Sequence, residues 1–178
     1  MQSFSIARDH EHLIPYIQAA LAVAPGLRLW ASPWSPPAWM KDNNSIDGGN
    51  MRGDPEILEA HALYLARFVE EYEAAGLDIE LVMPQNEPGY ETRYPSCLWA
   101  PTLRRDYLRD YLAPTFAERG VPAEIWLGTM SAPEDAEHVQ TVMADSTLSG
   151  GVVKGIGLQW NLVGSVGSWA SQYRLPIM

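Results

Sequence analysis

Cysteine is nearly absent. Cys97 is the single one in 178 residues, which excludes an internal disulfide and leaves the redox compartment unmarked. Basic residues are scarce as well, 12 Lys and Arg against 22 Asp and Glu, for a net charge of −10. That balance argues against binding to nucleic acid or to an anionic membrane surface and favours neutral partners. No run approaches the roughly 18 apolar residues of a membrane span, so no integral membrane segment is expected. The opening residues, Met1 to Ser5, lack the charged-then-apolar layout of a signal peptide. Neither G-x-G-x-x-G after a strand nor G-x-x-x-x-G-K-[ST] occurs, which weakens nucleotide-binding readings. The four histidines, His10, His12, His61 and His138, form no H-E-x-x-H pattern, so no metal and no cofactor is expected.

What the chain does have is tryptophan, seven residues in a composition that is 47% hydrophobic and 19% charged. Those averages are ordinary for a globular domain. An indole joins a broad apolar face to one N–H donor, which suits the C–H faces and hydroxyl edges of a sugar ring. Because Trp is usually well buried, roughly five of the seven are expected in the core.

Apolar periodicity gives an alternating order of elements. Residues 9–24 read as a helix closed by Pro25-Gly26, residues 27–32 as a short buried strand, and residues 33–53 as a polar, Pro/Gly-rich loop. A helix opens at Asp54-Pro55 and stops at Gly76. The unit then repeats: strand 79–83, helix 101–119, strand 124–129, helix 134–144, strand 152–158, a short helix near 163–171, and a strand-like end at 175–178. Strands alternating with helices of this length mean βαβ units and a parallel sheet. Polar residues gather just past successive strands, at 32–39, 85–88, 130–131 and 159–161, which is how a closed (β/α)8 barrel builds an active site. The length is short of the roughly 250 residues of such a barrel. The expected fold is therefore an incomplete α/β TIM barrel, one partial catalytic domain over residues 1–178 lacking strands at both ends, since parallel strands with two open edges make a poor natural domain.

The sharpest local feature is Pro84-Gln85-Asn86-Glu87-Pro88. Pro88 biases Glu87 away from helical geometry, so its carboxylate is expected on an extended backbone at the strand mouth. A glycosidase needs a carboxylic acid there, to protonate the departing glycosidic oxygen and later deprotonate the incoming water. Asn86 can donate its amide to a sugar hydroxyl beside the reacting carbon. In isolation Asn-Glu-Pro is a turn signal, and its place at a strand end sets it apart. In the run 32–41 three prolines stiffen the backbone around Trp34 and Trp39; Trp34 is expected to face substrate and Trp39 to pack structurally. Gln159-Trp160-Asn161 places two amides around an indole, matching sugar hydroxyls or, equally, capping a loop. Glu91, on the loop after Glu87, is not expected to be a second catalytic carboxylate, which should come from a different strand.

Taken together, Ser-Pro-Trp-Ser-Pro-Pro-Ala-Trp-Met-Lys at 32–41, Gln-Asn-Glu-Pro at 85–88, Tyr-Pro-Ser-Cys-Leu at 94–98 and Gly-Ile-Gly-Leu-Gln-Trp-Asn at 155–161 resemble glycoside hydrolase family 30, the glucosylceramidase family and its microbial relatives. The resemblance covers essentially the whole chain, from the helix before the third barrel strand to the start of the seventh. It implies a retaining mechanism with the acid/base Glu at the end of the fourth strand, matched by Glu87, and the nucleophile Glu at the end of the seventh. A Thr-Glu motif in relatives follows the stretch matching 175–178, so the nucleophile is expected to be absent from this chain and the 178 residues alone to be inactive. By the same resemblance Trp34 and Asn86 fall at sugar-contacting positions and Tyr94 near the site entrance. Gln159 and Asn161, flanking Trp160, stand where glucosylceramidases often place His and Tyr, a departure shared with microbial members acting on β-glucans. The implied substrate is a β-glucoside of glucosylceramide or β-glucan type. The alternatives are a β-1,6-glucanase or other microbial β-glycanase, or a non-catalytic carbohydrate-binding remnant. Relatives are secreted, or lysosomal in animals.

Overall fold

A computed structural model describes residues 4–178. Its centre is a four-stranded parallel sheet, β1 (Leu29–Ala31), β2 (Ile79–Val82), β3 (Glu124–Met130) and β4 (Val153–Leu158), in the spatial order β1-β2-β3-β4. Doubly wound sheets reverse their strand order at a switch point, whereas a barrel wall adds each strand beside the last. With right-handed crossovers, sequential order puts every connecting helix on the same face. The sheet is thus an arc of barrel wall.

The helices that cover it are α3 (Pro55–Ala74), α4 (Pro101–Tyr107) continuing through a π-helical turn into α5 (Ala113–Arg119), and α6 (Asp135–Met143). Pro55 opens α3 at a position whose N–H would have no partner, and Gly76 supplies the positive φ of 78° just past its end. The single helix expected over 101–119 contains the π turn at Leu108–Leu112. Pro114 lies just beyond it; in a regular helix its ring would meet the carbonyl of Asp110, and one widened turn relieves that clash. The helix expected over 9–24 is broken into α1 (Ala7–Glu11) and α2 (Leu13–Val23). Pro15 explains the break, because its ring excludes a helical carbonyl at Glu11. After β4 a 3-10 turn, Trp160–Ser165, leads into α7 (Val166–Tyr173). Residues 175–178 run alongside β4 as expected but form only one parallel bridge, Ile177 to Ile156, with Met178 N donating to Ile156 O at 3.0 Å.

The main core lies between sheet and helices, where Ile79, Val82, Ile125, Leu127, Val153 and Ile156 meet Leu65, Val69, Tyr107, Leu112, Val139 and Val142. A second, smaller cluster of Leu81, Met83 and Trp126 lies apart from it. Gly155 and Gly157 make room for it: a Cβ at either would come 2.5 Å from the Trp126 ring or the Met83 methyl. Within residues 4–178 fewer tryptophans are covered than the expected five. Only Trp99 and Trp126 are buried, Trp169 is partly covered, and Trp30, Trp34, Trp39 and Trp160 are exposed. Trp30 lines a hollow with Leu81 and Trp126, and Trp34, Trp39 and Trp160 lie in the segments that follow β1 and β4. Trp39, expected to pack structurally, is among the exposed ones.

Candidate active site

The polar residues expected at the strand ends converge because hydrogen bonding continues past the sheet into the loops. Beyond β2 the chain stays zipped to both neighbours, Asn86 N donating to Pro33 O at 2.9 Å and Glu87 N to Thr129 O at 2.8 Å, while Gln159 N donates to Met130 O at 2.8 Å. Glu87 is not extended, contrary to the reading from Pro88: its φ is +46°. Pro88 disfavours the right-handed region, and the bonds from Glu87 N to Thr129 O and from Tyr90 N to Glu87 O at 3.0 Å stabilise a tight left-handed turn instead. A non-glycine residue held there costs of order 1–3 kcal/mol and persists where surroundings over-determine it. Trp160, across the site, has φ +48°.

Gln159 Nε2 donates to Glu87 Oε1 at 2.8 Å and to Asn86 Oδ1 at 3.3 Å, and Thr129 Oγ1 also donates to Asn86 Oδ1. With its carbonyl oxygen accepting both bonds, the N–H2 is the group Asn86 has left to donate. A cleft of about 310 Å³ opens in front, lined by Glu87, Tyr90, Tyr94, Ser131, Ala132, Trp160 and Asn161. Among the described residues that line it, Glu87 is the only acidic one. Glu91 turns elsewhere, its Oε1 accepting from Gly49 N at 2.9 Å. Of the expected site residues, Glu87, Tyr94, Trp160 and Asn161 line the cleft together, and Asn86 and Gln159 are bonded beside it. Trp34, expected to face substrate, is exposed but is not in this lining; its ring centroid lies 5.5 Å from that of Tyr94, tilted by 48°.

Sequence reasoning passed over two buried polar residues that build this arrangement. Gln85 Nε2 donates to the carbonyls of Trp34 (2.9 Å) and Asn86 (2.7 Å), and its Oε1 accepts from Trp99 Nε1 at 3.4 Å. Lys41, 2% exposed, donates to Ser35 Oγ (3.2 Å), Ile46 O (2.9 Å) and Ser96 O (2.6 Å), joining the loops that carry Trp34 and Tyr94. Burial pushes the Lys41 amine below its ordinary pKa, opposed by the nearby carboxylates of Asp47, Asp42 and Glu91. The available signal was weak: a Lys inside an apolar, proline-rich run.

A family model described as the glycosyl hydrolase family 30 TIM-barrel domain matches residues 1–167. The chain belongs to glycosyl hydrolase family 30. Its fold is accordingly part of that family's (β/α)8 barrel, four consecutive strands of the wall. Among family relatives, the lysosomal acid glucosylceramidase of Mus musculus is 34% identical over 126 residues, 66% of this chain and 24% of that protein. An endo-1,6-β-D-glucanase of Trichoderma harzianum is 29% identical over 132 residues, 67% of this chain and 27% of its own length. The crystal structure of SrfJ from Salmonella typhimurium superposes with a TM-score of 0.87 at 28% identity, covering 98% of this chain and 40% of SrfJ. The chain spans about a quarter to a third of the length of the curated relatives it matches. Among the described residues, no helix is long and apolar enough to cross a membrane.

Proposed function

We propose that the protein carrying this chain is a retaining β-glycosidase in which Glu87 is the general acid/base. The observation that carries the reading is the presentation of Glu87, one oxygen fixed by Gln159 and the carboxylate facing a cleft bounded by Tyr90, Tyr94 and Trp160. In the first step a second carboxylate, supplied by a strand outside these residues, attacks the anomeric carbon. The C1–O bond breaks and Glu87 gives its proton to the leaving oxygen. In the second step Glu87 takes a proton from water as the water oxygen displaces the enzyme carboxylate, and the configuration is retained. Asn86 donates its amide to the hydroxyl beside the reacting carbon, and Tyr94 backed by Trp34 forms the aromatic wall.

The substrate class is a β-glucosidic bond, as in glucosylceramide. A β-1,6-glucan is the second reading, favoured by the amides Gln159 and Asn161 and by the exposed indole of Trp160, 74% accessible, as a platform for a further sugar. A non-catalytic sugar-binding role is the remaining one; calorimetry showing sugar binding without any turnover would establish it. Export or a lysosomal destination follows by analogy with the relatives. The mechanism is tested on the complete barrel domain with aryl β-glucosides. NMR should show the β-anomer as first product, and Glu87→Gln should slow phenyl β-glucoside hydrolysis by about 10²- to 10⁴-fold. An α-anomer or an active Glu87→Gln would defeat the proposal.

A further inference from the structure

Asp135 is fully buried in the first turn of α6, and the mechanism above makes no use of it. Its two oxygens serve two loops. Oδ1 accepts from Gly89 N at 2.8 Å; Oδ2 accepts from Ser131 N at 2.7 Å, Ala132 N at 3.2 Å and, more weakly, Ser131 Oγ at 3.4 Å. Gly89 is the second residue after Glu87. Ser131 and Ala132 line the cleft with Glu87 and follow Thr129, whose carbonyl holds the Glu87 N–H. One carboxylate therefore staples together the two loops that carry the acid/base residue and the cleft wall beside it. Only an acceptor-only group satisfies these donors, which a carboxylate is and an amide is not. The contact is tight, since a Cβ at Gly89 would lie 2.7 Å from Asp135 Oδ1. A counter-charge, the buried Arg104 guanidinium of α4, is drawn to Asp135, against a burial that brings its own pKa down to about 10.

The left-handed turn at Glu87 costs backbone energy and needs ties on both sides to persist. It has Thr129 before Pro88 and Asp135 after it. We infer that Asp135 is a positioning residue for proton transfer: through Gly89 it fixes the Glu87-Pro88-Gly89 turn and with it the aim of the Glu87 carboxylate at the departing oxygen. The inference rests on the acid/base reading of Glu87.

The test compares wild type, Asp135→Asn and Glu87→Gln in the complete domain on two substrates by kcat/KM, which reports the glycosylation step. Phenyl β-glucoside needs a proton on its leaving oxygen; 2,4-dinitrophenyl β-glucoside does not. An acid displaced by about an ångström loses about 100-fold, so Asp135→Asn should lower kcat/KM by that much on the phenyl substrate and by less than about threefold on the dinitrophenyl one. A structural defect alone would lower both alike, and that result, or an unchanged phenyl rate, would overturn the inference. If Asp135→Asn shows no cooperative thermal unfolding, Gly89→Ala presses on the same oxygen from the other loop and must give the same split. Glu87→Gln separates the two levels: if it fails to discriminate between the substrates, the acid/base reading falls; if it discriminates and the Asp135 and Gly89 variants do not, only this inference falls.

Discussion

Acidification should destabilise this fold from behind the site. His61 of α3 is fully buried among the rings of Tyr64, Trp99 and Tyr107, with Nδ1 2.9 Å from the Tyr107 hydroxyl and Nε2 without a partner. Burial lowers its pKa from 6.5 to about 3, and burial with the nearby Arg104 charge does the same for His138. Both are neutral in the folded state, and below pH 6.5 the unfolded chain binds the protons the folded one refuses. Stability is therefore full above pH 6.5 and falls as pH drops toward 3. At pH 5 each imidazole removes RT ln(1 + 10^1.5), about 2 kcal/mol, and the pair about 4 kcal/mol, a large part of the roughly 5–15 kcal/mol of a typical domain. Urea unfolding of the complete domain at pH 7 and pH 5 measures this. His61→Asn keeps a polar atom near the Tyr107 hydroxyl without a titrating ring; it should lower stability at pH 7 yet halve the loss between pH 7 and 5. An unchanged pH dependence in His61→Asn would refute the reasoning. Trp99 packs against His61 with its ring tilted by 51° and donates to Gln85, so the same protonation strikes the support of Asn86 and Trp34.

Two further outcomes are expected. Lys41→Met leaves the carbonyls of Ile46 and Ser96 without their charged donor and should destabilise the domain by about 2–4 kcal/mol in thermal or urea unfolding; because the loops of Trp34 and Tyr94 part, KM for glucosides should rise more than kcat falls. The isolated 178 residues, which bring one carboxylate to the cleft, should not hydrolyse aryl β-glucosides, and measurable turnover by the purified chain would contradict the assignment of the nucleophile elsewhere.

What could be read from the residues divides along sequence distance. The strands were legible as short apolar runs between turn signals, and the Asn86-Glu87 pair stood out because it follows one of them. Pro15 and Pro114, each four residues past a would-be helical carbonyl, carried the break at Glu11 and the π turn at Leu108–Leu112 in principle, although apolar periodicity masked them. The supports of the site were not legible. Asp135 meets Gly89 across 46 residues and Lys41 meets Ser96 across 55, and neither polar residue has a local pattern announcing a partner. The number of covered indoles was not legible either, because burial depends on every layer around a strand end and these four strands are part of the barrel wall. The turn at Glu87 escaped because Pro88 excludes one backbone region without choosing between the others, and the choice is made by Thr129 on a neighbouring strand.

Azide rescue of Glu87→Ala in the complete domain tests the central claim most directly. With the acid/base gone, an activated aryl β-glucoside still forms the glycosyl-enzyme, but its breakdown lacks a base. A small anion such as azide needs none and fills the vacated space. Added azide should restore turnover and yield the β-glucosyl azide, with retained configuration; no acceleration, or the α-azide, would contradict a retaining mechanism with Glu87 as its acid/base.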